Sequence, residues 1–265
     1  MKICALLPIS MPKTVFGGYY DLLMQSYDIA KDNDTEVEIR DVPEGLKDPA
    51  LMSFEGFRGL NEAEIVKAML KAEKDGFDGI SGACYFDCGV RMGNNLLSIP
   101  VMGAAESTMH MAALMGRKFA VVTTEAVWVS FMTEHLIKLG FAPFAVSRQP
   151  VRAMTLPLES MIGDLLSGSY DQIIENFLET CRECLADGAE VIIVGCGLIS
   201  PIFPVKGIFE LEGAPILDPM AMALKMTETL TKLKISGMQV KSRTGMFLRA
   251  PKELMAKGLK ELKLA

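Results

Sequence analysis

The sequence predicts an α/β fold of two pseudo-symmetric lobes, each a short parallel sheet flanked by helices, with the active site in the cleft between them. Three observations point there. Short apolar runs alternate with amphipathic helical patterns along the whole chain, the pattern of parallel strands joined by helices. Residues 75–84, DGFDGISGAC, are echoed 112 residues later by residues 187–196, DGAEVIIVGC. Each copy has Asp-Gly, an acidic residue three on from the Asp, an apolar stretch and a Cys nine on. The echo extends further, because residues 2–7 and 118–123 are alike, as are 99–103 and 214–218. Strand, helix, Cys strand and Pro-led strand thus recur in order, which indicates an internal duplication. The lobes are expected to be residues 1–99 with 215–265, and residues 100–214.

Taken in order, residues 2–7 read as a short apolar strand, followed by a loop at Gly17-Gly18 and a helix carrying Leu22, Leu23 and Tyr27. Alternation in VEIRDV makes 37–42 a second strand. Residues 43–60 hold Pro43, Gly45, Pro49, Gly56 and Gly59 and read as a long loop of the kind that borders active sites. Asn61-x-x-Glu64 resembles a capping box for a helix with Ile65, Met69 and Ala72 on its apolar face. After the Cys84 strand and the IPVMG strand, a helix from about Ala104 should stop at Gly116, a C′ glycine. The strand KFAVVT then leads to a helix with Trp128, Phe131, Met132, His135, Leu136 and Leu139 on one face, closing at Gly140. Residues 141–168 are loop-rich, and Ser169-x-x-Gln172 reads as the cap of a helix to Ala186. A further helix runs from Pro219 towards Leu233, and a short helix started by Pro251 offers Leu254, Leu259 and Leu262 for docking.

Half of the residues are hydrophobic and 23% are charged, so a folded globular chain with a proper core is expected. The formal net charge of −6 and the lack of a basic cluster argue against nucleic acid or an anionic membrane as partner. Five apolar residues before Pro8 are too few for a signal-peptide core, so a cytoplasmic protein is expected. The apolar stretch 191–205 contains Pro201 and Pro204 and is too short to span a bilayer. Six cysteines in that setting should be reduced thiols. Cys181-x-x-Cys184 and Cys84-x-x-x-Cys88 could be written as a zinc site. Cys181 and Cys184, however, fall on the apolar stripe of their helix, and no metal is expected. The 19 methionines and apolar composition are compatible with buried contacts in a homo-oligomer.

Both Cys strands should deliver a thiol at their carboxyl ends, where open α/β sheets bind ligands. Either cysteine alone reads as a small buried residue. As a matched pair across a cleft, Cys84 and Cys196 suit proton transfer at a carbon next to a carbonyl. One thiolate removes a proton and the opposite thiol returns one to the other face, without a cofactor. Backbone amides after each Cys, Gly197 among them, and the hydroxyls of Thr123 or Thr124 are candidates to stabilise the enolate. The threonines read equally as a strand residue and a helix cap. Glu106 and His110 could orient a catalytic group, Asp87 is a ligand contact or a turn former, and His135 reads as core.

Residues 76–89, 99–107, 116–124, 187–197, 214–226 and 241–251 together resemble the aspartate/glutamate racemase superfamily, in its hydantoin and allantoin racemase branch. The resemblance implies a two-lobe fold, no cofactor, a small-molecule substrate such as a 5-substituted hydantoin or similar ring or amino-acid derivative, and Cys84 and Cys196 as the catalytic pair. The alternatives are a superfamily isomerase or decarboxylase with one nucleophilic cysteine, and a ligand-binding homologue without turnover. Three departures stand at the expected substrate contacts. Pro8-Ile9-Ser10 replaces the branch's Asn-Pro-Asn, Asp87-Cys88-Gly89 replaces Asp-Pro-Gly, and Cys196-Gly197-Leu198-Ile199 replaces Cys-Ala-Gly-Met. Tyr85 and Phe86 should enlarge the rim beside Cys84 and make it less polar.

Overall fold

Unbroken apolar strands call for helices on both faces of a sheet, and the computed structural model, which describes residues 1–264, has that arrangement twice. The first sheet contains β1 (Lys2–Leu6), β2 (Glu36–Arg40), β3 (Gly79–Gly82) and β4 (Val101–Met102), parallel and ordered β2-β1-β3-β4. The second contains β5 (Phe119–Thr123), β6 (Val151–Ala153), β7 (Val191–Val194), β8 (Glu210–Leu211) and β9 (Ala214–Leu217). Its order is β6-β5-β7-β9-β8, parallel except for the edge strand β8. Without that edge strand the two sheets have the same order, and the Cys strands β3 and β7 hold the same place. Every residue of both is buried.

The helices are α1 (Lys13–Ala30), α2 (Glu55–Lys74), α3 (Val90–Leu96), α4 (Ala104–Met115), α5 (Ala126–Lys138), α6 (Leu158–Ser167), α7 (Asp171–Ala186), α8 (Ile202–Val205), α9 (Pro219–Ile235) and α10 (Lys252–Glu261). The two Asp-Gly pairs close α2 and α7 in the same way. Gly76 and Gly188 take left-handed φ values of 89° and 90°, and Phe77 and Ala189 donate back to Ala72 and Cys184. Asp75 pairs with Arg40 of β2, and Asp187 pairs with Arg152 of β6. Lys71 and Arg40 together hold the Asp75 carboxyl down at about 2. The duplication therefore extends to an ion pair that the motif itself did not reveal.

Strand pairing carries the first sheet through Met102 and the second through Leu217, three residues past each expected lobe boundary. α4 crosses from one sheet to the other, and α9 returns to pack on β3, β4 and α4. Other elements differ from expectation. Gly17 and Gly18 lie inside α1, which starts at Lys13 and kinks at Phe16. α2 begins at Glu55, and Asn61 is no cap. Asn61 is buried in mid-helix, accepting from the Leu46 amide at 2.8 Å and donating to the Pro8 carbonyl at 2.7 Å. Its side chain thus ties two loops instead of a helix end. Gly116 is extended rather than left-handed, and a Cβ there would overlap Val191 Cγ2 at 2.8 Å. It is a packing glycine. α7 starts at Asp171 after a break at Gly168, without the Ser169 cap. Leu254 and Leu262 remain exposed rather than docked. The tail is held instead by Arg243 and Arg249, which donate to the Asn94, Leu96 and Leu97 carbonyls at the carboxyl end of α3, where cations are favoured.

Cys181 and Cys184 are fully buried in the second core, as the apolar stripe implied. No helix among the described residues is long and apolar enough to cross a membrane. The lobes are joined by a buried carboxyl at the start of α9. Asp218 accepts from Ser26 Oγ of α1 at 2.5 Å, from Ser200 Oγ of the second lobe at 2.7 Å and from the Met220 amide at 2.9 Å. Burial pushes its pKa above the usual carboxylate range, the three donors opposing.

Removing a buried acceptor leaves its donors unpaired at about 1–3 kcal/mol each. Asp218→Ala should therefore lower stability by about 3 kcal/mol in urea unfolding. Asp218→Asn, which keeps one carbonyl oxygen, should lose clearly less. Equal stability of the alanine variant and the parent would rule out Asp218 as a tie between lobes.

Candidate active site

The two cysteines sit at equivalent points. β3 ends at Gly82 and β7 at Val194, each two residues before its Cys. The intervening residue still pairs with the neighbouring strand, Ala83 N–H to the Leu6 carbonyl at 3.0 Å and Gly195 N–H to that of Val122 at 2.7 Å. Each thiol is thus released where its sheet stops. The two ends approach closely across the seam. A Cβ placed on Gly197 would lie 3.3 Å from the Ala83 carbonyl oxygen and 3.0 Å from Met220 Cε. Tyr19 of α1 donates to the Gly197 carbonyl at 2.9 Å, and its hydroxyl lies near both sulfurs. All six cysteines are free thiols, and only Cys84 and Cys196 are partly exposed.

The environments of the two sulfurs differ. Cys84 lies 4.0 Å from the sulfur of Cys88. The contact with Cys88, opposed by burial and helped by the Phe86 N–H and by Arg58, pulls the Cys84 thiol below its usual value. Cys196 is held above its usual value by burial, which the Leu198 and Ile199 N–H groups and the Thr124 hydroxyl only partly offset. The two shifts run in opposite directions, Cys84 becoming the more acidic thiol and Cys196 the less acidic.

The Cys84 loop is fixed by Asp87. Its carboxylate accepts from the Ala105 and Glu106 amides at 2.8 and 2.9 Å, capping α4 from outside that helix. Asp87 adopts a left-handed φ of 52° to do so. Gly103, the residue before α4, has no room for a Cβ, which would overlap the Asp87 carboxyl. His135 Nε2 of α5 reaches the same carboxylate at 3.3 Å, so His135 is a partly exposed interlobe contact rather than core.

The expected contact residues separate. Phe86 lies at the rim, stacked on Trp128 with centroids 4.9 Å apart and planes at 20°. Tyr85, one residue earlier, is buried in the core of the second sheet, so it does not form the rim. Ser10 commits its amide to the Leu46 carbonyl at 2.8 Å. Thr123 ends β5 fully buried with its hydroxyl unpartnered among the described residues. Thr124 is beside Cys196. His110 is exposed and bonded within α4, away from the thiols. Sequence reasoning missed Tyr19 and Arg58. Arg58 is layered between Phe86 and Phe131, 4.7 and 4.5 Å from their centroids, at a groove of about 220 Å³ between α2 and α5. Contacts between residues so distant in sequence leave no local pattern. Among the described residues no group of three or more His, Cys, Asp or Glu is arranged to hold a metal ion.

A family model described as Asp/Glu/Hydantoin racemase matches residues 36–227. The chain is 28% identical to the hydantoin racemase of Rhizobium meliloti over 182 residues, covering 67% of this chain and 71% of that one. It is 27% identical to the hydantoin racemase of Paenarthrobacter aurescens over 195 residues, covering 72% and 74%. Among solved structures, the allantoin racemase of Klebsiella pneumoniae superposes with a TM-score of 0.78 at 22% identity, covering 95% of this chain and 94% of that one, a likeness of fold.

Gly103→Ala should cost about 2 kcal/mol in thermal or urea unfolding, through loss of the external cap and strain at the overlap. In an Asp87→Ala background the same change should cost much less, because the overlapping carboxyl is gone. Additive losses in that double-mutant cycle would contradict the steric coupling.

Proposed function

The chain belongs to the Asp/Glu/hydantoin racemase family, and on that premise we propose that it is a cofactor-independent racemase or epimerase using Cys84 and Cys196 on opposite faces of one carbon. The observation that carries the reading is the pair of thiols at equivalent strand ends, one shifted below and the other above the usual thiol value. The substrate class is a carbon acid whose acidic C–H lies between a carbonyl and a nitrogen. A 5-substituted hydantoin or related ring fits best, in keeping with the hydantoin racemases that the chain resembles. The six free thiols suit a reducing, cytoplasmic setting. Self-association would be sought at the exposed Met246, Leu248, Leu254 and Leu262 of the C-terminal segment.

In the forward direction the Cys84 thiolate takes the proton from carbon. The electron pair of the broken C–H bond moves into the adjacent carbonyl, giving an enolate. The Cys196 S–H then delivers its proton to the opposite face, leaving Cys84 as thiol and Cys196 as thiolate. The inverted product leaves, and proton exchange with solvent restores the resting pair. Reaction of the other enantiomer runs through the same states in reverse. Thr123, whose buried hydroxyl has no protein partner among the described residues, would hydrogen-bond the substrate in this reading. The Gly197 amide and Thr124 are further contacts in this reading, with Ser10 at the mouth and the Phe86–Trp128 stack flanking the ring substituent.

Wild-type enzyme in deuterated water should incorporate deuterium at the reacting carbon of a hydantoin substrate while inverting it, followed by NMR. Cys84→Ser and Cys196→Ser should each lose racemisation by at least about 100-fold. Wild-type rates in both variants would sink the two-thiol reading. Full turnover in Cys196→Ser alone would point to a single nucleophilic cysteine.

The pH dependence follows from the directions of the two shifts. Activity rises as Cys84 loses its proton, below the usual thiol value, and falls as Cys196 loses its own, above it. The profile of kcat/KM should be a broad bell with limbs on either side of the ordinary thiol value, the same for both enantiomers because both active forms carry one proton. A profile with both limbs on one side would contradict the assignment.

A further inference from the structure

The Cys84 loop carries a second thiol that the two-cysteine reaction does not use. Cys88 is 5% exposed, packed into the first core and fixed between the strained Asp87 and the left-handed Gly89. Its sulfur sits 4.0 Å from that of Cys84, within reach of an S–H···S hydrogen bond. The second half has a different residue at the same offset. Four residues after Cys196 stands Ser200, whose hydroxyl donates to Asp218 at 2.7 Å. The equivalent donor is therefore committed to the lobe junction in one half and free to serve the reactive sulfur in the other.

We propose that Cys88 is a positioning residue for Cys84, donating its S–H to the Cys84 sulfur and so making that sulfur the resting base of the pair. The inference rests on the racemase reading above for its catalytic meaning, though not for the hydrogen bond itself. The direction of donation follows from the surroundings. The Phe86 N–H points at the Cys84 sulfur, while Arg58 of α2 favours negative charge at both sulfurs. Glu62 of α2 disfavours it at Cys88. Asp87 in the same loop opposes charge on Cys84, and Tyr19 of α1 and Cys196 across the cleft are the other titratable groups facing it. All of these groups remain when Cys88 is replaced, so the change isolates its S–H.

The test is the pH dependence of alkylation of each thiol by iodoacetamide, resolved by peptide mass spectrometry after reductant is removed. Wild-type Cys84 should be labelled with a midpoint below the ordinary thiol value. Cys88→Ala should raise that midpoint by about one unit and slow Cys84 labelling at neutral pH about tenfold. Cys88→Ser, close in volume and still a donor, should restore most of both. Labelling of Cys196 should keep its wild-type midpoint in either variant. The acid limb of kcat/KM should move with the Cys84 midpoint, which loss of packing alone would not produce. An unmoved Cys84 midpoint in Cys88→Ala, or no recovery with serine, overturns the proposal. A shifted midpoint together with full racemisation by Cys84→Ser would instead uphold the hydrogen bond and remove the catalytic reading.

Discussion

The contact between the Asp87 carboxylate and the amino end of α4 is the constraint on which the geometry of the site depends. Asp87 occupies a left-handed conformation that costs a non-glycine residue on the order of 1 kcal/mol. Two amide hydrogen bonds from α4 offset that cost, reinforced by the helix dipole. The turn bearing Cys84 is therefore held by a helix that it does not belong to. Because α4 carries the chain from the first sheet to the second, the same contact sets where Cys84 stands relative to Cys196. In the proposed mechanism, proton transfer between carbon and sulfur would tolerate little misplacement, and the bare Cα of Gly103, which lets the carboxylate in, is part of that geometry.

Around that constraint the two halves match in backbone and differ in charge. Strand order, the left-handed glycines closing α2 and α7, and the Arg40–Asp75 and Arg152–Asp187 pairs repeat. The amide two residues on from each Cys donates to its sulfur in both halves. The differences lie in the next shell of residues. Cys84 has a thiol partner and a guanidinium nearby, whereas Cys196 has a threonine hydroxyl and two backbone amides. Duplication provided two equivalent strand ends, and substitutions around them separated the resting protonation of the two sulfurs.

Much of the scaffold was legible because its signals are local. A buried parallel strand must be apolar throughout, and a Schellman turn needs glycine at one position, so DGFDGISGAC and DGAEVIIVGC declare strand, turn and thiol together. Legibility failed where a residue serves a distant part of the chain. Asn61 has the chemistry of a cap, yet its amide ties the loops at Leu46 and Pro8. Gly116 follows a helix as a C′ residue would, yet it is glycine because Val191 lies against it. Tyr85 and Phe86 are indistinguishable as rim residues until the turn buries the first and leaves the second partly exposed. Arg58 reads as a surface cation until two aromatic rings from different elements enclose it.

In the proposed two-thiol mechanism, unequal thiols are no obstacle to racemisation. Two enantiomers in an achiral solvent have equal free energy, so their equilibrium constant is one whatever the catalyst. The ratio of kcat/KM for the two directions must then also be one, since each refers the same transition states to free enzyme and free substrates of equal energy. Asymmetry between Cys84 and Cys196 can appear only in how each direction divides between kcat and KM. A racemase working through such a pair is thereby free to hold its two thiols at different acidities, the more acidic one serving as base with no prior proton shuffle for one enantiomer. For the other, the reversed pair must first form by proton exchange, and saturating that enantiomer exposes the step. A site built by duplication can lose its electrostatic symmetry without losing its balance between mirror images.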